Sequence, residues 1–145
     1  MTIIITPCTT DAQLISTLPL MQQLGRDIPS DTTHYLSQLR TLIDDGYHIT
    51  GAFKEKKCVG CISYRFQKNL WLKEYLYIED LVIDEKHRSQ KIGKQLNDWL
   101  EKEAKQKSYY YLTLASGMHR PDAHRFYERE GYQKALYFWK NISDN

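Results

Sequence analysis

The sequence predicts a mixed α/β fold in which one sheet carries helices on both faces. Three observations support this: apolar strand patterns alternate with amphipathic helix patterns, two neighbouring strands read as a hairpin, and a strand-helix-strand unit follows them. Strands joined by a tight turn pair antiparallel, whereas strands on either side of a crossover helix pair in parallel. The element order β-α-α-β-β-β-α-β-α-β therefore predicts a mixed sheet.

The N-terminal segment predicts a strand and an interrupted helix. β-Branched residues dominate positions 2–6, as is typical of a strand. A Thr-Thr-Asp segment then offers N-cap side chains for a helix that carries Leu14 and Leu18. Because proline fits best in the first turn of a helix, Pro19 should begin a second helical piece that extends to about Leu24.

The middle of the chain predicts a helix, a hairpin and a longer strand. Asp31 caps a helix with apolar residues at helical spacing, and Gly46 ends it. Residues 47–54 and 58–66 read as strands joined by a charged turn, and residues 69–83 read as a third strand. The continuous apolar end of this third strand predicts burial on both faces.

The remaining elements form a crossover unit and a final helix and strand. Residues 91–107 have the spacing of an amphipathic helix, and residues 109–114 should form a strand parallel to the long strand before that helix. Pro121 begins the last helix, and residues 132–140 are expected to form the last strand.

Composition and charge indicate one globular domain over residues 1–145. A hydrophobic content of 41% and a charged content of 26% are those of a soluble domain. The net charge of +2 provides no electrostatic basis for nucleic-acid binding. No apolar run approaches the ~20 residues of a membrane span. We therefore expect a cytoplasmic protein with neither nucleic acid nor a membrane as partner.

The cysteines and histidines do not suggest a metal site. Three cysteines, an odd number, argue against a disulfide framework. Cys58 and Cys61 form a Cys-x-x-Cys, but residues three apart on a strand face opposite sides, which favours ordinary thiols. His119 and His124 lack the spacing of a ligand pair and are interpreted as core or surface residues. No bound metal is expected.

The stretch from Glu79 to Gly93 carries the strongest functional signal. An apolar strand end runs into a short basic loop that opens directly onto a helix. A helix start offers free N–H groups and a partial positive charge, so this arrangement predicts a phosphate-binding site. Glu79 and Asp80 lie just upstream, and a carboxylate beside a phosphate site suggests an enzyme. Strand alternation predicts that Asp80 points away from Glu79 and is structural.

Two motifs follow one another in this half of the chain. The segment Arg88-Ser89-Gln90-Lys91-Ile92-Gly93 is similar to a pyrophosphate loop Arg/Gln-x-x-Gly-x-Gly/Ala, with Lys91 in place of the first glycine. Residues 123–132 are similar to Ala-x-x-Phe-Tyr-x-x-x-Gly-Phe/Tyr, and Arg120 stands where many sequences with this motif have asparagine. Over residues 78–140 the chain thus resembles the GNAT family, which transfers an acetyl group from acetyl-CoA to an amine.

The resemblance implies a fold, a co-substrate and a class of acceptor. It implies a GNAT-like mixed sheet of six or seven strands with about four helices on its two faces. Acetyl-CoA is the implied co-substrate and a primary amine of a small molecule the implied acceptor. Within the family, the motifs look most like the aminoalkylphosphonate and the polyamine or thialysine acetyltransferases. A homodimer is also compatible with the resemblance.

Roles for individual residues follow from the same resemblance. Glu79 is the candidate base, acting directly or through a water, and its alternative role is an ion pair at a strand end. Tyr127 is the candidate acid, because a phenol with a pKa of about 10 suits a thiolate whose conjugate acid is near 8.5; its alternative role is packing beside Phe126. The residues expected to contact acetyl-CoA are Leu81, Val82, Ile83, Arg88, Ser89, Gln90, Lys91, Ile92, Gly93, Lys94, Arg120 and Tyr127.

The acceptor pocket is the least specified part of the prediction. We expect Arg26, Asp27, Asp31, Tyr64 and Trp71 to shape it. An acidic pocket would favour polyamines, whereas Arg or His would favour an amine that carries a phosphonate or carboxylate. Two other functions remain open: acetylation of a protein or peptide amine, and a regulatory CoA-binding module without turnover.

Overall fold

The computed structural model describes residues 2–116, 120–135 and 140–141. It forms two compact units, Met1–Leu114 and Ala115–Asn145. The first unit contains the strands β1 (Ile3–Pro7), β2 (Tyr47–Lys54), β3 (Lys57–Asn69), β4 (Lys73–Ile83) and β5 (Tyr111–Leu114). Its helices are α1 (Asp11–Ile15), α2 (Leu18–Gln22), α3 (Thr32–Asp44) and α4 (Ile92–Gln106). The second unit contains α5 (Pro121–Arg129).

The strands form one mixed sheet in the order β1-β2-β3-β4-β5. The first four strands are antiparallel and β5 is parallel to β4, which confirms the predicted mixed pairing. The sheet has five strands in the described residues, so the expected six or seven is wrong for this part of the chain. Residues 132–135, where a last strand was expected, are mostly exposed and lack alternating buried positions; residues 136–139 lie outside the described residues.

The first three helices begin where capping residues and proline predict. Thr10 caps α1 through a capping box with Gln13. Pro19 lies in the first turn of α2, so α1 and α2 are the two pieces of the interrupted helix. The Asp31 carboxylate accepts a hydrogen bond from Thr33 N and caps α3. With α1 and α2 counted as one interrupted helix, the described residues contain the expected four helices.

Helices lie on both faces of the sheet, as predicted. Cys61 in β3 belongs to a core cluster formed with α1, α2 and α3. The preceding residue, Gly60, faces α4, because a Cβ placed there would lie 2.9 Å from Ile92 Cγ2 and 3.3 Å from Leu96 Cδ1. Successive residues of a strand point to opposite faces, so α4 covers the face of the sheet opposite to the face that α1, α2 and α3 cover.

A bulge in β3 changes the expected orientation of the Cys-x-x-Cys pair. Ala52 pairs with Gly60 and Phe53 with Cys58, which leaves Val59 as an extra residue in β3. The extra residue reverses the alternation, so Cys58 and Cys61 lie in the same core cluster. The prediction that they face opposite sides was therefore wrong. Both are free and buried, as is Cys8.

Two further features of the described residues bear on the sequence predictions. None of the described helices combines the length and apolar character needed to cross a membrane. Within the same residues, no group of three or more His, Cys, Asp or Glu side chains converges on a position where a metal ion could bind.

Candidate active site

A second bulge brings the two carboxylates of β4 to one face of the sheet. Ile78 pairs with Tyr64 and Asp80 pairs with Ser63, so Glu79 is the extra residue between them. Glu79 and Asp80 line the same cavity. The expectation that Asp80 points away from Glu79 was wrong, because strict alternation does not hold across a bulge.

The cavity that these carboxylates line has a volume of about 260 Å³. It lies between β4 and the helices α2 and α3, and its wall combines apolar side chains with tyrosines, arginines and the two carboxylates. Its lining residues are Met21, Leu24, Arg26, Ile28, Tyr35, Gln38, Leu39, Leu42, Tyr47, Arg65, Glu79 and Asp80.

The predicted acceptor residues are only partly brought together. Arg26 lines the cavity, as expected. Trp71 does not, because it lies at the tip of the β3-β4 hairpin and is 81% exposed. Tyr64 points to the opposite face, where it contacts Trp99 of α4. Asp27 and Asp31 are exposed and are not among the lining residues.

Two ion pairs link the carboxylates to arginines in the cavity wall. Asp80 Oδ1 lies 2.7 Å from Arg26 Nη1, and Glu79 Oε1 lies 3.4 Å from Arg65 Nε. The Asp80 side chain is 13% exposed and that of Glu79 is 34% exposed, so Asp80 is the more buried of the two. Arg65 also donates a hydrogen bond to the Asp45 carbonyl oxygen, which holds it in place. The wall therefore carries both signs of charge.

Arg65 was not singled out from the sequence, although a signal was present. It stands between the aromatic residues Tyr64 and Phe66, inside the strand rather than at its end. A charged side chain in such a strand must reach a partner or solvent, because an unpaired buried charge is costly. Its guanidinium lies 5.6 Å from the centroid of the Tyr47 ring, a cation–π contact on the cavity face.

The cavity also contains hydroxyl groups that remain protonated. Burial raises the pKa of Tyr47, and the neighbouring Ser63 hydroxyl only partly opposes this effect. Burial likewise raises the pKa of Tyr35, whose hydroxyl lies 2.6 Å from Thr17 Oγ1. The Ser63 hydroxyl is fully buried beside that of Tyr47. Ser63 is the cross-strand partner of Asp80, so its side chain lies on the same face of the sheet as the cavity.

The loop after β4 is fixed by hydrogen bonds to Asp84. Asp84 N donates to the Val59 carbonyl oxygen at 2.9 Å, and the Asp84 carboxylate lies 2.8 Å from His87 Nδ1. Gln23, just after α2, donates from Nε2 to Asp84 Oδ1 and accepts from Glu85 N. Burial alone would raise the pKa of Asp84, but the hydrogen bonds from Gln23 and His87 outweigh it and lower the pKa. The loop is thus held in one conformation before α4 begins.

The start of α4 has the backbone geometry of an anion site. Lys91, the N-cap, has φ 61° and ψ 23°, the left-handed conformation that glycine favours. The lysine that replaces the motif glycine therefore adopts a glycine-like conformation, and Ser89 does the same with φ 68°. The first intrahelical hydrogen bond joins Gln95 N to Lys91 O, so the N–H groups of residues 92–94 precede it. N–H groups at a helix start form a site of the kind that binds anions.

The side chains of this loop differ in exposure. Ile92 is buried at 1% exposure and anchors the helix start on the sheet. Lys94 pairs with Asp98 at 3.3 Å along the helix. Upstream, Val82 is buried, whereas Leu81 and Ile83 are half-buried. The residues of the loop that expose their side chains to solvent are Arg88, Ser89, Gln90 and Lys91.

The second unit carries the remaining predicted site residues. Arg120 is the N-cap of α5 and is exposed. Tyr127 is half-buried, and its ring packs edge-on against Phe126 at 5.3 Å and Tyr132 at 5.4 Å. The role of Tyr127 as acid stays a prediction. His124 lies on α5, and His119 lies outside the described residues.

Comparison with known proteins identifies the family. The model of the acetyltransferase (GNAT) family matches residues 17–132. The chain belongs to this family. Aminoalkylphosphonate N-acetyltransferase of Salmonella typhimurium is 40% identical over 98 residues, which cover 65% of this chain and 62% of that protein. The chain thus matches less than two thirds of this relative's length.

Two other similarities cover more of the chain. An uncharacterized N-acetyltransferase of Bacillus subtilis is 27% identical over 124 residues, 84% of this chain and 86% of the relative. Among solved structures, a GNAT family acetyltransferase of Staphylococcus aureus matches with a TM-score of 0.81 at 22% identity, covering 99% of this chain and 100% of that one. This structural match supports the GNAT fold of the chain.

Proposed function

We propose that this GNAT protein transfers the acetyl group of acetyl-CoA to the primary amine of a small molecule. The observation that carries the proposal is the cavity that Glu79 and Asp80 line at the bulge of β4. A volume of about 260 Å³ suits a small amine rather than an extended peptide. The glycine-like backbone at Lys91 and the N–H groups that open α4 are the matching features for acetyl-CoA.

The charges of the cavity favour an acceptor that carries both an amine and an acid. Glu79 and Asp80 suit an ammonium group, whereas Arg26 and Arg65 suit a phosphonate or carboxylate. The Salmonella relative is named for aminoalkylphosphonates, which combine these two groups. We therefore propose short aminoalkyl acids as the acceptor class, in preference to polyamines.

The transfer requires a neutral amine, because an ammonium nitrogen has no lone pair. In the proposed mechanism Glu79, directly or through a water, takes one proton from the ammonium group. The amine nitrogen then attacks the thioester carbonyl carbon, and the carbonyl electrons move to its oxygen. Main-chain N–H groups of residues 81–83, at the end of β4, are assigned to stabilise that oxygen.

Collapse of the tetrahedral intermediate breaks the carbon–sulfur bond and forms the amide. The sulfur leaves as a thiolate, and the Tyr127 hydroxyl donates a proton to it. The attacking nitrogen then loses its remaining extra proton, which re-protonates the tyrosine through solvent, and Glu79 releases to solvent the proton that it took. We assign this role to Tyr127 from the motif over residues 123–132.

Turnover with a panel of amines tests the proposal, with release of free thiol as the measurement. Glu79→Gln should change the acid limb of the pH–rate profile, and Tyr127→Phe should lower kcat while acetyl-CoA affinity stays nearly constant. Arg40→Gln, which removes an exposed ion pair with Asp11 outside the cavity, serves as the control. Binding of acetyl-CoA without turnover of any amine would favour a regulatory module, and turnover of peptides alone would favour a protein acetyltransferase.

A further inference from the structure

The ion pair between Arg26 and Asp80 spans the cavity wall. Arg26 belongs to the loop between α2 and α3, and Asp80 follows the bulge of β4. Their charged atoms lie 2.7 Å apart, and both residues line the cavity. The Asp80 side chain is 13% exposed, whereas the Arg26 side chain is 56% exposed. The carboxylate is thus held by the sheet, while the guanidinium reaches it from the solvent side.

We propose that Asp80 binds the ammonium group of the acceptor and that Arg26 occupies this position until the acceptor arrives. The proposal rests on the proposed function. An arriving ammonium group would displace the Arg26 guanidinium from Asp80. The guanidinium would then be available for the acid group at the other end of the same acceptor.

The difference in exposure determines which partner gives way. Ion pairs with an exposed member are worth little, because solvent screens the charge and the long side chain loses conformational freedom. Moving Arg26 therefore costs little, whereas leaving the more buried Asp80 without a cation would cost more. An acceptor with an ammonium group satisfies Asp80, and its acid group compensates Arg26.

The exchange assigns Asp80 a role distinct from that of Glu79. Glu79 is held 3.4 Å from Arg65, which is also bonded to the Asp45 carbonyl oxygen and is therefore less free to move. Asp80 would bind and orient the charged amine, and Glu79 would take its proton. Asp80 is accordingly a substrate-binding residue whose loss should affect KM more than kcat.

Two acceptors that differ in one group test the exchange. Propylamine has an amine alone, and 3-aminopropylphosphonate carries the same amine with an acid at its other end. Arg26→Gln should lower KM for propylamine by a few-fold, because the competing cation is gone, and raise KM for 3-aminopropylphosphonate by about tenfold, equivalent to 1.4 kcal/mol. Asp80→Asn should raise KM for both amines by about tenfold or more, with a smaller change in kcat.

The control and the contradicting outcomes are distinct. Arg40→Gln removes another arginine–aspartate pair outside the cavity and should change neither KM. If Arg26→Gln shifts KM for both amines in the same direction, or Asp80→Asn leaves KM unchanged, the exchange is wrong while the proposed function stands. If the wild-type protein binds acetyl-CoA but acetylates neither amine nor any other, both proposals are wrong.

Discussion

Gly60 of β3 lies directly against Ile92, the first residue of α4. A Cβ at Gly60 would lie 2.9 Å from Ile92 Cγ2, closer than such atoms approach in real structures. The missing side chain thus lets the helix start sit close to the sheet. The same helix start presents the N–H groups that we assign to the acetyl-CoA pyrophosphate.

Gly60→Ala should therefore weaken acetyl-CoA binding. The added methyl also meets Ile83 Cδ1 at 3.0 Å, so relief requires the buried Ile92 and the helix start to move outward. Overpacking of this kind costs about 1–3 kcal/mol of stability. We expect a lower acetyl-CoA affinity by calorimetry at a temperature where the variant is fully folded.

Gly51→Ala is the matched control for this variant. Its added Cβ would lie 2.6 Å from Phe53 Cε2 in β2 and 3.2 Å from the Sγ atom of Cys8, which follows β1, so the strain does not involve α4. It should lose stability yet bind acetyl-CoA like the wild type once folded. If both variants lose the same affinity for acetyl-CoA, the contact between Gly60 and Ile92 does not determine acetyl-CoA binding.

The fold was largely predictable because each element carries its own local signal. Pro19 predicts the break between α1 and α2, and strand-helix-strand order predicts the parallel pairing of β5 with β4. The bulges at Val59 and Glu79 were not predictable, because a bulge depends on the register between strands. Both errors of orientation, at Cys61 and at Asp80, arise from these two extra residues.

The candidate site was predicted less completely than the fold. Glu79 and the loop before α4 could be proposed from the sequence because a strand, a basic loop and a helix start are adjacent in it. Arg65 and Tyr47 reach the cavity through pairing between distant strands, which no local pattern reveals. Trp71 looked like a binding residue from its type, but its position in the hairpin tip leaves it exposed.

Lys91→Gly should stabilise the folded protein. Lys91 has φ 61°, and the left-handed conformation costs a residue with a Cβ about 1–2 kcal/mol. Glycine avoids this cost but loses more entropy on folding, so we expect a net gain of about 0.5–1 kcal/mol in urea unfolding. Lys91→Ala keeps the Cβ and should show no such gain. Equal gains for the two variants would indicate that the lysine charge, not the backbone, is responsible.

The buried thiols should make stability fall in alkaline solution. Burial raises the pKa of Cys8 from 9.0 to about 12 and that of Cys58 from 9.0 to about 11. Above pH 9 the unfolded chain therefore loses thiol protons that the folded chain keeps, so stability present below pH 9 decreases as the pH rises toward 11. Each such thiol contributes a slope of about 1.4 kcal/mol per pH unit.

Urea unfolding between pH 8 and 10 measures this slope, before the buried tyrosines contribute strongly. Cys8→Ala lowers stability at every pH by leaving a small cavity, but it should remove one thiol's share of the slope. A slope identical to that of the wild type would show that Cys8 ionises equally in the folded and unfolded chains.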